Sequence, residues 1–264
     1  MLTAGSMFRL MLTCWKLNLA GAMEYRMSFF LTAGMMLINN VVWIFYWMVF
    51  FHRFQVVKGW TFDDVMMMWA VGAGGFGFAA VFFGNCFTIA NLVANGMLDP
   101  FLLQPKPVLP HLLVSRMSVS AIGDIVFALL LYGVFGPHSA LGMFKFVLGL
   151  TLATLLFIGF NVLVQSLAFY LGNAEGLGYQ MNMGFLTFAT YPTNIFRGWG
   201  KLVLFTLIPA GFISYMPIGL LRDVQGPYLA GVFAVVAAFA AGGIALFYRG
   251  LRRYSSGNQM TIRM

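Results

Sequence analysis

Long apolar stretches alternate with short polar segments along most of the chain. A helix needs about 20 residues to cross the hydrocarbon core of a bilayer, because each residue adds about 1.5 Å. Six stretches approach this length and carry few charges, so the pattern predicts six transmembrane helices. The predicted spans cover residues 28–51, 65–86, 118–135, 144–171, 177–190 and 228–247. Thr61, with Asp63 and Asp64 after it, has the pattern of a helix N-cap followed by acids in the first turn.

Residues 1–27 show a different pattern. Arg9, Thr13 and Lys16 separate apolar residues that recur at helical spacing, so this segment is predicted to be an amphipathic helix lying in the membrane interface. The apolar positions are Phe8, Met11, Leu12, Trp15 and Leu19.

The segment between the second and third predicted spans, residues 94–116, is called the proline loop here. Asn95 and Gly96 are a turn signal. Asp99 and Pro100 predict the start of a short helix, with Asp99 as its N-cap and Pro100 as its first residue. Prolines that cannot lie inside one regular helix then interrupt the chain. They are Pro105, Pro107 and Pro110.

The short helix is expected to expose Phe101, Leu102 and Leu103. Exposed apolar side chains on a stiff protrusion are unfavourable in water unless something covers them. Two interpretations remain: either a partner protein covers these side chains, or they lie back on the membrane surface.

Residues 191–222 form the second unusual segment. The stretch from residue 202 to 221 is long enough to span, but Pro209, Gly211 and Pro217 break it. We interpret 191–222 as a re-entrant hairpin, with full spanning as the alternative. Broken backbone is tolerated at membrane depth when other protein covers its polar groups.

The distribution of basic residues favours the re-entrant interpretation, which places both termini on one side. Nine of the 15 Lys and Arg residues then lie on that side, which the positive-inside rule makes cytoplasmic. These nine are Arg9, Lys16, Arg26, Lys106, Arg116, Arg249, Arg252, Arg253 and Arg263. The others are Arg53, Lys58, Lys145, Arg197, Lys201 and Arg222.

Composition supports an integral membrane protein. Hydrophobic residues make up 61% of the chain and charged residues 8%, whereas soluble domains carry roughly 25% charged residues. The net charge of +8 does not indicate nucleic-acid binding, because the basic residues are scattered at the ends of apolar stretches. Two cysteines, Cys14 and Cys86, are expected to be free thiols.

Motifs for catalysis, metal binding or nucleotide binding are missing from the sequence. There is no Walker A, HExxH, GxSxG or CxxC pattern, so no catalytic residue, metal site or cofactor is assigned to this chain. The glycines from Gly72 to Gly77 match GxGxxG, but they lie within an apolar span, where small residues let helices approach closely.

Polar residues inside the predicted spans are the remaining candidates. Asp124 is either a locally bonded acid near the cytoplasmic end of its span or a group that acts in gating or proton transfer. Asn85, Gln180 and Asn182 are candidates for lining a translocation path. Like Asn39, Asn40, Asn161 and Gln165, they could equally bond between helices.

Three stretches resemble the permease subunits of ABC-type exporters, in particular the bacterial branch of type 2 ABC permeases. They are "NGMLDPFLLQPKPVLPHLL" in the proline loop, "YPTNIFRGW…LIPAGFISYMP" before the last span and the ending "YRGLRRYSSGN". The proline loop matches the pattern G-x-L-D-x-x-L-x-x-P at Gly96, Leu98, Asp99, Leu102 and Pro105.

The resemblance implies an all-α permease domain over residues 1–264. Its parts would be a connecting helix (1–27), a cytoplasmic coupling loop (94–116), an extracellular re-entrant hairpin (191–222) and a basic cytoplasmic tail (248–264). Spans two and five would line the path, and the hairpin would cap it on the outside.

The resemblance also implies partners. A second permease subunit, identical or a sister chain, would complete the transporter in the bacterial inner membrane. A separate ABC subunit would bind ATP and Mg²⁺ and contact the coupling helix. The contact is expected at Gly96, Leu98, Asp99, Phe101, Leu102 and Pro105. The motifs do not identify the substrate, but an apolar path with few charges suggests a hydrophobic or amphipathic drug, lipid or peptide. The competing hypothesis is a standalone secondary transporter or channel that uses Asp124 and the polar span residues.

Overall fold

The computed structural model describes residues 4–172 and 174–255. Residues 1–3 of the predicted amphipathic helix and residues 256–264 of the predicted basic tail lie outside this description. Within the described residues the regular structure is helical, apart from one β-bridge between Val57 and Trp60. The first helices are α1 (Ala4–Glu24), α2 (Arg26–Arg53), α3 (Phe62–Phe82), α4 (Ile89–Ala94), α5 (Asp99–Leu102) and α6 (Val108–Val114). The later helices are α7 (Ala121–Phe135), α8 (Ala140–Gln165), α9 (Ala168–Leu171), α10 (Glu175–Ala189), α11 (Trp199–Thr206), α12 (Ala210–Ser214) and α13 (Gly226–Leu251).

In the part of the chain that the structure describes, four helical segments are long and apolar enough to cross a membrane. They are α2, α3, α8 with α9, and α13. The helices α7 and α10, with 15 residues each, match predicted spans in position but are shorter than the usual crossing length. The structure therefore supports an all-helical membrane protein.

The centre of the fold is α3, which packs mainly against α7 and α8. Its most apolar 18-residue window is 83% buried, compared with 6% for α2 and 17% for α13. Since α3 is apolar on every side, it can be surrounded by other helices, while α2 and α13 keep wide apolar surfaces. These two helices pack against α7 and α8, respectively.

Glycines in α3 allow the close packing. A Cβ atom on Gly75 would lie 2.6 Å from the Cβ of Ala153 in α8. One on Gly74 would lie 2.8 Å from the Cβ of Ala128 in α7. Real Cβ contacts are longer, so these positions need glycine. The interpretation of the GxGxxG pattern as helix packing is confirmed.

The beginning of α3 is as predicted, but its end is not. Thr61 forms a capping box with Asp64. The helix ends at Phe82, four residues before the predicted end of the span, and a 3₁₀ turn follows at Gly84–Phe87. The Gly84 N–H donates to the carbonyl oxygen of Arg116 at 3.1 Å. The chain therefore bends where it meets the far end of the proline loop.

The helix α1 has three different faces. One face contacts the protein: the Trp15 Nε1–H donates to the Phe82 carbonyl at 2.8 Å, and the Asn18 amide donates to the Val114 carbonyl at 3.1 Å. Phe8, Leu12 and Leu19 are exposed along a second, apolar face. The third face carries the polar residues Arg9, Thr13 and Lys16. These faces suit a helix lying at a membrane surface beside the proline loop.

The segment 191–222 folds as short pieces. It contains a 3₁₀ turn (Thr193–Ile195), then α11, α12 and a π-helical turn (Pro217–Arg222). Pro209 precedes α12 and Pro217 begins the π-helical turn, as the positions of the prolines predict. The helix α12 packs against α3, α10 and α11, and its end is buried. The broken backbone is therefore covered by protein, which the re-entrant interpretation requires.

Candidate functional site

The proline loop begins with a defined turn. Gly96 has a φ of +67°, a conformation that glycine adopts without strain. The Met97 N–H donates to the Leu92 carbonyl at 2.9 Å, and the Gly96 N–H donates to the Val93 carbonyl at 3.3 Å. This pair of hydrogen bonds is a Schellman motif, which ends α4 and reverses the chain. Gly96 is thus a structural requirement of the loop.

Asp99 is not the N-cap that the sequence predicted. The helix α5 begins at Asp99, Leu98 is its N-cap, and no side chain caps it. Pro100 still occupies the first turn. The Asp99 carboxylate instead accepts a hydrogen bond from the Tyr254 hydroxyl at 3.0 Å. An Asp-Pro pair can begin a helix with the aspartate either as the N-cap or as the first helical residue. Here Asp99 is the first helical residue, and its carboxylate bonds to Tyr254.

The loop rests on an apolar cluster of its own, which we call the basal cluster. It joins the loop to α8, α9 and α13. Leu98 lies inside it and is fully buried, so its side chain stabilises the loop and does not face a partner in this structure. The buried members are Cys86, Ile89, Ala90, Val93, Leu98, Leu109, Leu112, Leu113, Val162, Ala168, Ala174 and Phe247.

Phe101 differs from the expected fully exposed side chain. It is partly buried against the basal cluster, with its ring edge-to-face on His111 at a centroid distance of 5.1 Å. Leu102 and Leu103 are exposed, and Leu103 is 86% exposed. Met97 is exposed as well, and Pro105 is exposed beside them. Met97, Leu102 and Leu103 form what we call the apolar cap of the proline loop.

Two titratable groups of the loop have shifted pKa values. Burial, and secondarily the hydrogen bond to Asp99, raises the pKa of Tyr254 to about 12. Burial and the nearby Lys106 lower the pKa of His111. Tyr254 is therefore protonated and able to donate at neutral pH, and His111 is predominantly neutral.

A second group of polar contacts fixes the base of the loop. The Asn85 amide donates to the Leu112 carbonyl at 2.8 Å and to the Ser115 hydroxyl at 2.7 Å. Gln165 of α8 donates to the Phe87 carbonyl at 2.9 Å and accepts from the Ala90 N–H at 3.0 Å. Asn85, a candidate for the translocation path, is buried in these bonds and holds the loop to the end of α3.

The other two path candidates have different environments. Gln180 lies on an exposed part of α10. Asn182, two residues further, is buried, and among the described residues its Oδ1 atom has no hydrogen-bond partner. An unpaired buried carbonyl is unfavourable and leaves an acceptor available to a bound molecule.

Asp124 is bonded locally. It is buried where α7 meets α2, and its Oδ1 atom accepts from the Asn40 amide at 2.7 Å. The neighbouring Gly123 brings the helices together, since a Cβ there would lie 2.9 Å from the backbone nitrogen of Leu37. The described residues contain no cluster of three or more His, Cys, Asp or Glu side chains that could hold a metal ion.

Comparison with known families decides the class of the protein. A family model described as "ABC-2 family transporter protein" matches residues 37–257. The chain belongs to the ABC-2 transporter family. Neither the curated proteins nor the solved structures gave a match. The resemblance seen in the sequence is confirmed, and the chain is a membrane permease component of an ABC transporter.

In this ABC-2 permease, the sequence indicated the proline loop but missed Met97 within it and Tyr254, which bonds to it from the end of α13. Met97 follows the turn glycine, where a Schellman pattern favours an apolar contact back onto the helix, so its exposure was not predictable from the pattern. Tyr254 lies 155 residues from its partner Asp99, and no local pattern connects them.

Proposed function

We propose that the chain is the permease subunit of an ATP-driven exporter, and that a separate ATP-hydrolysing subunit docks on the proline loop. The apolar cap supports this proposal most directly. Leu102, Leu103 and Met97 are exposed on a base that the basal cluster and the Asn85 bonds hold rigid. Apolar surface contributes about 25 cal/mol per Å² when it is covered, so the cap favours a protein partner. ATP and Mg²⁺ would bind in that partner.

The proposed topology has six spans: α2, α3, α7, α8 with α9, α10 and α13. The contacts of α1 with the end of α3 and with α6 support placing α1 at the same membrane surface as the proline loop. The distribution of basic residues makes that surface cytoplasmic. Both termini would then be cytoplasmic in a bacterial inner membrane, and the segment 191–222 would be a re-entrant hairpin on the outside.

A second permease subunit is part of the proposal. A single chain leaves wide apolar surfaces on α2 and α13, which lipid and a second subunit would divide between them. We propose a hydrophobic or amphipathic substrate. A groove of about 600 Å³ between α3, α7 and α8 supports this, since it is lined almost wholly by apolar side chains such as Phe78, Leu129 and Val147.

The mechanism is a population shift. ATP would draw two ATPase subunits together, and each would move the proline loop that it holds. The basal cluster packs the loop against α8, α9 and α13, so the motion would reach these helices. The bond between Tyr254 and Asp99 adds a direct link from the end of α13 to the loop.

The test introduces a charge on the apolar cap. The permease is co-expressed with its ATPase subunit, and co-purification and substrate-stimulated ATP hydrolysis are measured. Leu103→Asp is expected to weaken co-purification about tenfold or more, because a buried charge without a partner is unfavourable. Asp99→Lys and Phe101→Ala are expected to uncouple hydrolysis from transport while the membrane fold persists.

The matched control is Val56→Asp, which adds the same charge at an exposed apolar residue of the loop between α2 and α3. It should leave co-purification unchanged. Wild-type co-purification and stimulated hydrolysis of all three proline-loop variants would refute the proposal. Proton-driven flux through this chain alone would support the secondary transporter instead.

A further inference from the structure

The start of α4 is held by a side chain from α8. Thr88 is the N-cap residue of α4, but its hydroxyl donates to the Asn85 side chain at 3.0 Å. Gln165 supplies the cap instead: its Oε1 atom accepts from the Ala90 N–H at 3.0 Å, and its Nε2 atom donates to the Phe87 carbonyl at 2.9 Å. Gln165 is 3% exposed. Its amide therefore fixes α4, and the 3₁₀ turn before it, relative to α8.

The helix α10 packs directly on this amide. A Cβ atom on Gly178 would lie 2.7 Å from the Nε2 atom and 2.8 Å from the Cδ atom of Gln165. Real Cβ atoms do not approach so closely, so glycine is needed for α10 to lie against the Gln165 side chain. In a close-packed interior, a shift of Gln165 has to displace α10 or open a gap beside it. We call Gln165 and Gly178, with Phe87 and Ala90, the amide joint.

The beginning of α10 has two further connections to the base of the proline loop. Ala174, the N-cap residue of α10, is buried in the basal cluster. The Asn91 side chain of α4 donates to the Glu175 Oε1 atom at 3.2 Å. The first turn of α10 is therefore attached both to α4 and to the cluster on which the proline loop rests.

The end of α10 leads into the segment 191–222. Phe188 packs edge-to-face on Phe196, with a centroid distance of 5.6 Å. A Cβ atom on Gly184 would lie 3.9 Å from the Cδ1 atom of Ile208, and α10 also packs against α12. A helix of 15 residues is a stiff element about 22 Å long. The helix α10 therefore contacts the base of the proline loop at one end and the segment 191–222 at the other.

We propose that Gln165 is a positioning residue that transmits the movement of the proline loop to α10, and that α10 transmits it to the segment 191–222. The inference rests on the proposed docking of an ATPase subunit at the proline loop. When the loop and α4 move, the buried Gln165 amide moves with its hydrogen-bond partners, and Gly178 follows because it is in direct contact. The segment 191–222 then shifts with the end of α10.

Hydrogen–deuterium exchange of the complex between the permease and its ATPase subunit tests this route without a known substrate. Exchange is measured in lipid nanodiscs without nucleotide and with ATP, Mg²⁺ and vanadate. In the wild type, nucleotide should change the exchange of both the proline loop and the segment 191–222. Gln165→Met keeps the length of the side chain but loses both hydrogen bonds, and Gly178→Ala forces the amide joint apart. Each variant should keep the change in the proline loop and reduce the change in the segment 191–222 about twofold or more.

The matched controls are Gln55→Met, the same substitution at an exposed position between α2 and α3, and Gly176→Ala in α10, where a Cβ meets nothing within 4 Å. Both should respond like the wild type. A full response of the segment 191–222 in Gln165→Met and Gly178→Ala would overturn the inference. So would a wild type in which the proline loop responds and the segment 191–222 does not, a comparison that requires no variant to fold. An unresponsive proline loop would contradict the proposed function itself, and this inference with it.

Discussion

Tyr254 connects the end of α13 to the proline loop through one hydrogen bond to Asp99. Its ring also packs edge-to-face against Phe169, and the neighbouring Arg253 lies 4.7 Å from the ring centre of Tyr170. The segment after α13 is therefore held in place by several contacts. We expect it to keep Asp99 and α5 in a fixed orientation.

Tyr254→Phe should reduce substrate-stimulated ATP hydrolysis about threefold to tenfold, because one hydrogen bond is lost while the ring still packs. Expression and thermal stability in detergent should change little. Tyr248→Phe, a change of the same kind within α13, is the control and should be silent. If Tyr254→Phe kept the substrate-stimulated ATP hydrolysis of the wild type, the hydrogen bond to Asp99 would not contribute to the orientation of the loop.

The hydrogen bond between Tyr254 and Asp99 should persist between pH 7 and pH 9. Because the pKa of Tyr254 is raised to about 12, its stabilising contribution is fully present below the ordinary tyrosine value near 10. The contribution disappears as the pH rises through about 12. Coupling measured from pH 7 to 9 should therefore show no loss attributable to Tyr254, and a loss that Tyr254→Phe removes would contradict this assignment.

Asp124 distinguishes the exporter from a proton-driven carrier. Its Oδ1 atom bonds to Asn40, which supports a structural contact between α2 and α7, whereas its buried Oδ2 atom has no hydrogen-bond partner among the described residues. Asp124→Asn should therefore retain transport in proteoliposomes. Asn40→Leu should lower stability by about 1–3 kcal/mol, because it leaves a buried polar group without its partner. Loss of transport in a well-folded Asp124→Asn variant would instead support a proton path through Asp124.

The helix α3 packs closely against α8. A Cβ on Gly75 would lie 2.6 Å from the Cβ of Ala153 and 3.2 Å from its carbonyl carbon, so the backbone of α8 would have to move. Gly75→Val should cost about 1–3 kcal/mol, seen as a lower melting temperature in detergent. Gly133→Ala in α7 is the control, since a Cβ there meets nothing within 4 Å. If Gly75→Val melted at the same temperature as the wild type, α3 and α8 would be packed less closely than the structure shows.

The sequence predicted most helices because apolar length and proline position are local properties. The breaks at Pro209 and Pro217 and the cap at Thr61 follow from the residues themselves. The end of α3 at Phe82 was not predictable in this way, because Gly84 is held by the carbonyl of Arg116, from a distant part of the chain. The position of Asp99 as the first residue of α5 was not predictable either, because its carboxylate is bonded by Tyr254, which is also distant in the sequence.

Within the described residues, the molecule has a large core around α3, the separate basal cluster under the proline loop, and a small third cluster of Ala80, Val81 and Ala121. This division could not be predicted from the sequence, since Phe101 belongs to the same apolar run as Leu102 and Leu103, and Leu98 lies just three residues before it. Burial separates them into side chains that stabilise the loop and side chains available to a partner. The proline loop is therefore linked to α8, α9 and α13 through the basal cluster, and to the end of α3 through the bonds of Asn85.

The most direct measurement is site-specific crosslinking from Leu103, the most exposed side chain of the apolar cap. A photoreactive amino acid replaces Leu103 in the permease, which is co-expressed with its ATPase subunit in intact membranes, and Val56 carries the same group as the control. The account predicts that position 103 crosslinks to the ATPase subunit and position 56 does not. Crosslinks from position 103 to phospholipid alone, with no second polypeptide, would contradict it.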